Sequence, residues 1–316
     1  MSERLALLFP GQGSQSVGMG RSLLAESATA RRILQQADEV LGYPLTRLCL
    51  DGPDEVLRET THAQPAILAI SVAALAVLRE VADGALSPSF VAGHSLGEFT
   101  ALVAAGSLPY EDALRLVRRR GELMSEAGRA QPGAMAAVVG ADDAVVEAAC
   151  REAAEAGVVV VANYNSPGQV VISGEQQAVQ RASELAKAKG ARRILPLSVS
   201  GAFHSPLMEQ AAAPFREAVA ACVIDDPSVP VVGNTEAEPL VDAAAVRREL
   251  ARQIISPVRW AQTMNYLVAE GVGLFIEVGP GQVLTGMAKR MPGARAVAVA
   301  SLESARSVVA EWKGGT

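Results

Sequence analysis

Short apolar runs alternate along the chain with longer stretches whose apolar positions recur at helical spacing. Residues 5–9 (LALLF) read as a strand that stops at Pro10, and a Gly-rich loop follows at 11–16. The periodicity predicts helices over about 22–41 and 65–82. A strand at 90–92 leads into Gly93-His94-Ser95-Leu96-Gly97, where a helix should open and run to about 105. Another helix is expected over 110–127, and strands return at 229–232 and 274–278. Alternation of this kind predicts an α/β protein with a mainly parallel sheet covered on both faces.

The middle of the chain follows a different order. A strand at 134–139 and a helix at 142–156 precede two strands, 158–162 and 170–173. A helix at 175–189 and a strand at 193–197 complete a β-α-β-β-α-β pattern, the ferredoxin-like arrangement. The expected organisation is therefore a large domain of residues 1–130 and 199–316 and an inserted small domain of residues 131–198. The turn Gln131-Pro132-Gly133 opens the insertion. Beyond it, Ser205-Pro206 has the form of an N-cap with proline at the first helical position.

Composition narrows the function classes. A chain of 316 residues buries roughly 75% of its unfolded surface. Half hydrophobic and one-fifth charged, it is not a disordered chain. Its net charge of −6 lacks the basic excess of a nucleic-acid binder. Cys49, Cys150 and Cys222 are odd in number and form no CxxC pair, so neither a disulfide framework nor a zinc site is signalled. A reducing cytoplasm is the simplest compartment. No signal-peptide pattern stands at the N-terminus. The longest apolar stretch, 66–78, falls short of the ~20 residues that cross a bilayer, so a buried helix and no membrane contact are expected.

The candidate chemistry lies at the strand ends. Gly93-His94-Ser95-Leu96-Gly97 fits G-x-S-x-G, with a strand before it and a helix after it. A sharp strand-to-helix turn needs small flanking residues and leaves the serine hydroxyl at the helix N-terminus, where backbone N–H groups can hold an oxyanion. A serine that merely caps a buried helix is the bland alternative. A nucleophilic serine needs a base, and the chain has His62, His94 and His204. His94 adjoins Ser95 and reads as a packed elbow residue, and His62 as structural or exposed. His204, in a loop between a strand and a capped helix, is the candidate base; a capping histidine is its alternative. No acid is obvious as a third member, and a carbonyl or amide can orient the imidazole instead. Arg120 lies four residues after Leu116 and four before Met124, on the apolar stripe of its helix. A buried arginine costs several kcal/mol unless an anion meets it. That anion is either an internal carboxylate or a substrate carboxylate held by two parallel hydrogen bonds. The loop at 11–16 imitates a dinucleotide-binding turn but has Ser16 where the pattern needs glycine.

Five segments together resemble the malonyl-CoA:acyl carrier protein transacylases and the acyltransferase domains of polyketide synthases. They are Phe9 to Gln15 (FPGQGSQ), Gly93 to Glu98 (GHSLGE), Asn163 to Gln169 (NYNSPGQ), Gly201 to Ser205 (GAFHS) and Glu277 to Gly281 (EVGPG), in family order. The resemblance implies an α/β-hydrolase-like large domain with an inserted ferredoxin-like domain, in agreement with the periodicity. It implies Ser95 as nucleophile and His204 as base, with the Gln253 backbone carbonyl orienting the imidazole. It implies Arg120 as the grip on a malonyl carboxylate and the Gln12 and Leu96 N–H groups as the oxyanion hole. Phe203 matches the malonyl-type pattern, and its bulk should leave little room for an α-methyl group.

The expected reaction is ping-pong transfer of malonyl from malonyl-CoA, through Ser95, to the phosphopantetheine thiol of acyl carrier protein. No bound cofactor or metal is expected, and the working unit is taken as a monomer. Arg118, Arg119, Lys187, Lys189, Arg192, Arg193, Lys289 and Arg290 are candidates for a basic rim that meets an acidic carrier. The rival readings are an acyl-thioester hydrolase using the same dyad, a non-catalytic carrier-binding protein and a dehydrogenase.

Overall fold

The structure, a computed structural model, describes residues 4–314. The outermost residues of the expected large domain, 1–3 and 315–316, lie outside the described residues. The described strands are β1 (Arg4–Phe9), β2 (Phe90–Gly93), β3 (Ala134–Val139), β4 (Val159–Ser166), β5 (Gln169–Gly174), β6 (Arg193–Pro196), β7 (Val231–Val232), β8 (Pro239–Leu240), β9 (Val272–Val278) and β10 (Arg295–Val299). They form one six-stranded and one four-stranded sheet, so the chain is a mixed α/β protein.

The large sheet has the order β10-β9-β1-β2-β7-β8 and is parallel except for the β7–β8 pair. Its central strand β1 is buried on both faces. Leu5, Leu7 and Phe9 enter one apolar core while Ala6 and Leu8 enter another. That two-sided burial explains why LALLF is a continuous apolar run instead of an alternating one. The small sheet has the order β4-β5-β3-β6, with every pair antiparallel and its own apolar core around Val138, Val170 and Ile172. Val258 ties the two sheets together: its N–H donates to the Ala162 carbonyl at 2.8 Å and its carbonyl accepts from Tyr164 N–H at 2.9 Å.

Several expected boundaries move, each for a local reason. The helix expected over 22–41 is two helices, Arg21–Glu26 and Ala28–Leu41. Ser27 breaks it, because its hydroxyl caps the second helix by accepting from Ala30 N–H at 3.1 Å. The helix expected from 65 begins a turn earlier, at Thr60, and runs to Ala82 with Pro65 inside it. At 23 residues it is long and apolar enough to cross a membrane, which corrects the shorter stretch read from sequence, but 78% of its apolar window is buried in the fold. The strand expected at 229–232 shrinks to β7. Strands β8 and β10 and the short helices Leu45–Asp51 and Asp54–Arg58 were not foreseen. Ser205 does cap, but over a 3-10 turn, Pro206–Met208, that precedes the Glu209–Ala221 helix.

Candidate active site

Ser95 stands between the end of β2 and the Gly97–Ala104 helix with φ 51°, in the left-handed region. Such a backbone costs about 1–3 kcal/mol in a non-glycine residue and persists where its surroundings over-determine it. Here the Ser95 N–H donates to Asn234 Oδ1 at 2.6 Å, and the Ser95 carbonyl accepts from Gln253 Nε2 at 2.9 Å. The flanking glycines are required by contact. A Cβ on Gly93 would sit 1.9 Å from the Gly97 carbonyl carbon, and one on Gly97 would sit 2.0 Å from the Phe9 carbonyl oxygen. The motif spacing therefore records how closely the turn is pressed against the end of β1.

His204 Nε2 lies 2.8 Å from Ser95 Oγ. Its Nδ1 faces two backbone carbonyls, Gln253 at 3.1 Å and Ser256 at 3.0 Å. Carbonyls only accept, so the ring proton belongs on Nδ1 and the Nε2 lone pair faces the hydroxyl. Burial above all, then the positive charges of Arg120 and His94, lowers the His204 pKa to about 3. The imidazole is thus neutral at physiological pH. The Gln253 carbonyl occupies the place the resemblance implies. The Ser256 carbonyl had no signal in the sequence, because any residue type supplies one.

Arg120 is 1% exposed in the middle of the Tyr110–Ala130 helix. One terminal nitrogen donates to Gln64 Oε1 at 2.8 Å; the other donates to Ser95 Oγ at 3.1 Å and Gln253 Oε1 at 2.9 Å. Among the described residues Nε has no hydrogen-bond partner and no carboxylate forms an ion pair with the guanidinium. Burial lowers the Arg120 pKa to about 10, while the charge of Glu98 works in the opposite direction. The next residue, Gly121, makes this position possible: a Cβ there would lie 2.7 Å from the Thr60 carbonyl oxygen. The resulting close helix approach sets Arg120 against Gln64. Gln64 in turn donates to Thr60 Oγ1 at 2.9 Å, and Thr60 donates to Gln12 Oε1 at 3.0 Å.

These groups open onto a cavity of about 300 Å³. Gln12, Leu96 and Phe203 line it, with Met124, Met135 and Arg58 further along its wall. The Ser95 N–H is already committed to Asn234, which leaves the next N–H, on Leu96, as the elbow's donor. Arg58 is a cavity-lining cation that sequence reasoning missed; it holds Asp54 Oδ2 at 2.5 Å. None of the eight basic residues singled out as a rim lines the cavity. Arg118 and Arg119 both meet Glu122, Lys189 meets Glu152, and Arg290 donates to Ser166 and Gln169.

The other histidines lie outside the dyad. His94 Nε2 is 2.8 Å from Asn165 Oδ1, and its ring packs beside Trp260 with centroids 5.5 Å apart. His62 meets Glu59 at 3.2 Å and the edge of Tyr43. The 11–16 loop does not open a helix, since the next one begins at Arg21, so the dinucleotide reading loses its geometry. The turn at 279–281 is held from beneath by a buried carboxylate. The buried Glu277 carboxylate already accepts from Leu284 and Thr285 N–H, at 3.1 and 2.7 Å. Among the described residues, no group of three or more His, Cys, Asp and Glu side chains is arranged to hold a metal ion.

A family model described as an acyl transferase domain matches residues 6–310. The chain belongs to the acyl transferase family. One relative in this family, the malonyl CoA-acyl carrier protein transacylase of Bacillus subtilis (strain 168), is 47% identical over 289 residues, 91% of this chain and 90% of that one. The crystal structure of an acyl carrier protein S-malonyltransferase from Vibrio cholerae O1 biovar eltor matches with a TM-score of 0.93 at 43% identity, covering 96% of this chain and 99% of that chain. A type II polyketide synthase acyl-carrier protein in complex with its malonyl-transacylase matches with a TM-score of 0.93 at 42% identity, covering 98% and 99%. The resemblance seen in the five motifs is thus borne out over nearly the whole chain.

Proposed function

We propose that this acyl transferase moves the malonyl group of malonyl-CoA to the phosphopantetheine thiol of an acyl carrier protein, by a ping-pong route through Ser95. The observation that carries the reading is Arg120. It is a buried cation that, among the described residues, has no carboxylate ion-pair partner and no hydrogen-bond partner at Nε, and it donates to the nucleophile's Oγ at 3.1 Å. Leaving such a charge unpaired is costly, and a carboxylate on the acyl group is the anion that fits. The relatives' substrates agree, and the related complex with a carrier protein supports the acceptor.

The steps follow from the geometry. His204 Nε2 takes the Ser95 proton as Oγ attacks the thioester carbonyl. The oxyanion is held by the Gln12 and Leu96 N–H groups, each such donor being worth about 2.7–4 kcal/mol. The tetrahedral intermediate collapses, the C–S bond breaks, and the CoA thiolate leaves with the proton from His204. Malonyl-Ser95 remains. The carrier thiol, deprotonated by His204, attacks the ester, and the Ser95 oxygen leaves and regains its proton. No cofactor enters these steps. Substrate binding also primes the base. A malonyl carboxylate against Arg120 cancels one of the charges that depress His204, and it draws the guanidinium from Ser95 Oγ. Phe203 then bounds the space beside the malonyl α-carbon.

The same reading takes residues 1–130 and 199–316 as an α/β-hydrolase-like body and residues 131–198 as a ferredoxin-like insertion, acting as a cytoplasmic monomer. The elbow after β2 supports the first assignment. The β-α-β-β-α-β order with sheet order β4-β5-β3-β6 supports the second. The product serves fatty acid or polyketide synthesis.

The test is intact mass after mixing with malonyl-CoA, with peptide mapping of the adduct. A malonyl adduct on Ser95 that disappears only when holo carrier protein is added is the expected result. An adduct that decays equally fast without the carrier identifies a hydrolase and overturns the transfer reading.

A further inference from the structure

A second layer of polar groups, closed to solvent, lies against the dyad and takes no part in the steps above. Glu98, Asn234 and Glu249 are 0%, 1% and 3% exposed. Both carboxyls hold one backbone amide: Asn234 N–H donates to Glu98 Oε1 at 2.8 Å and to Glu249 Oε1 at 2.9 Å. Thr235 N–H and its hydroxyl close the far side of Glu249. The clamped Asn234 side chain then grips both sides of the elbow. Its Nδ2 donates to the Gly93 carbonyl at 2.8 Å, and its Oδ1 accepts from Ser95 N–H at 2.6 Å. Glu98 also reaches the other half of the site. Its Oε2 accepts from Gln253 Nε2 at 2.6 Å, and Gln253 Oε1 accepts from Arg120.

We infer that the Glu98–Asn234–Glu249 node positions the nucleophile and the carboxylate grip together, Asn234 setting the left-handed turn of Ser95 and Glu98 setting the amide orientation of Gln253 and hence Arg120. All three are positioning residues. The logic is one of donors and acceptors. Glu98 faces Asn234 N–H and Nδ2 on one oxygen and Gln253 Nε2 on the other, all of them donors. An acceptor is needed at both oxygens. A glutamine at this position supplies only one, so a donor would meet a donor at Asn234 or at Gln253. Were Gln253 to turn its amide over in response, its NH₂ would face Arg120. Burial and the charge of Glu249 hold the Glu98 carboxyl well above the usual carboxylate range. A protonated Glu98 keeps an acceptor at both oxygens when its O–H turns toward Glu249, the neighbour that shares the Asn234 N–H.

This inference rests on Ser95 as nucleophile and Arg120 as carboxylate grip. The experiment is single-turnover acylation by malonyl-CoA and by acetyl-CoA, with wild type, Asn234→Ala and Glu98→Gln, each checked for folding by its thermal transition. Asn234→Ala should slow acylation by both donors equally, by about 100-fold, as misplaced reacting groups do. Its KM for malonyl-CoA should stay near wild type, and the burst should still titrate every folded chain. Glu98→Gln should slow acylation and also lower the preference for malonyl over acetyl. A folded Asn234→Ala that acylates at the wild-type rate, or a folded Glu98→Gln with wild-type rate and preference, overturns the inference. Where a variant does not fold, hydrogen exchange on the unaltered enzyme answers. The Ser95 amide should exchange slowly although its residue lines the cavity, and exchange at the rate of an open amide overturns the inference. A wild type that forms no Ser95 adduct sinks the transferase reading itself, whatever the variants do.

Discussion

The end of the parallel sheet and the small antiparallel sheet are built from opposite materials. Around the elbow, Ser95 and His204 both hold positive φ, and buried polar side chains satisfy one another in a continuous network. One face of the small sheet has its own core, mainly alanine, valine and isoleucine, and the other joins the main core through Met135, Ala137, Ala162 and Val171. What it lends is a wall and a few polar tips. Met135 lines the cavity from β3, and Asn165 holds His94 from β4. Strain and buried charge are placed where chemistry needs fixed geometry, and apolar packing where only shape is needed. Damage to the first region should therefore appear in rate, and damage to the second in stability.

The sharpest break is Ser95→Ala. It should cut transfer by on the order of 10⁵-fold, in line with losses of other serine nucleophiles, and abolish the acyl-enzyme seen by mass. In the small sheet, Ile172→Ala should do the reverse. It should cost about 2–5 kcal/mol of stability in denaturant titration while the kcat of the folded fraction holds; a large fall in kcat would dissolve the contrast. Next comes Arg120→Ala, which should lower malonyl transfer by about 100-fold, as truncating one member of a buried charge pair does, and spare acetyl transfer. Equal losses for both acyl groups would remove the carboxylate role.

The histidine offers a finer test through pH. His204 binds a proton at about 3 in the folded protein against an ordinary value of 6.5. Between those values the unfolded chain binds more protons, so stability falls as pH drops through that window, and His204→Gln should flatten that slope. Glu98, raised in the fold, opposes it from the other side by losing stability as pH rises above its ordinary value. The acid limb of kcat/KM in the free enzyme should accordingly lie below pH 6.5. The smallest effect is expected of Phe203→Ala, where room for one methyl group should raise methylmalonyl use relative to malonyl by about 10-fold.

Much of this was legible in the chain. The buried strand β1, the elbow glycines, the β-α-β-β-α-β order and the odd place of Arg120 on an apolar stripe are local patterns, each with a local physical cause. The miscounted helix at 22–41 was legible too, since Ser27 is a capping residue type set inside a helical period. Strands β8 and β10 were not, because edge pairings depend on which neighbours reach them. Glu98 stands in the chain as the last letter of the GHSLGE segment, and Glu249 and Asn234 belong to no motif. A lone acidic or amide residue in a helix or loop reads as solvated surface until the fold buries it.

The sequence by itself determined the strand-to-helix turn at Ser95, because only glycines at 93 and 97 escape the backbone contacts at 1.9 and 2.0 Å. It also determined that Arg120 would be buried, because the helical period leaves that position no other face. The fold alone decided which groups meet. Asn234 is 139 residues from Ser95, Gln253 is 133 from Arg120, and Glu249 reaches the node from the same Ala243–Gln253 helix that carries Gln253. Hydrogen bonds over such separations leave no periodic trace in the chain, since their geometry exists only once parallel strands and packed helices have brought the ends together.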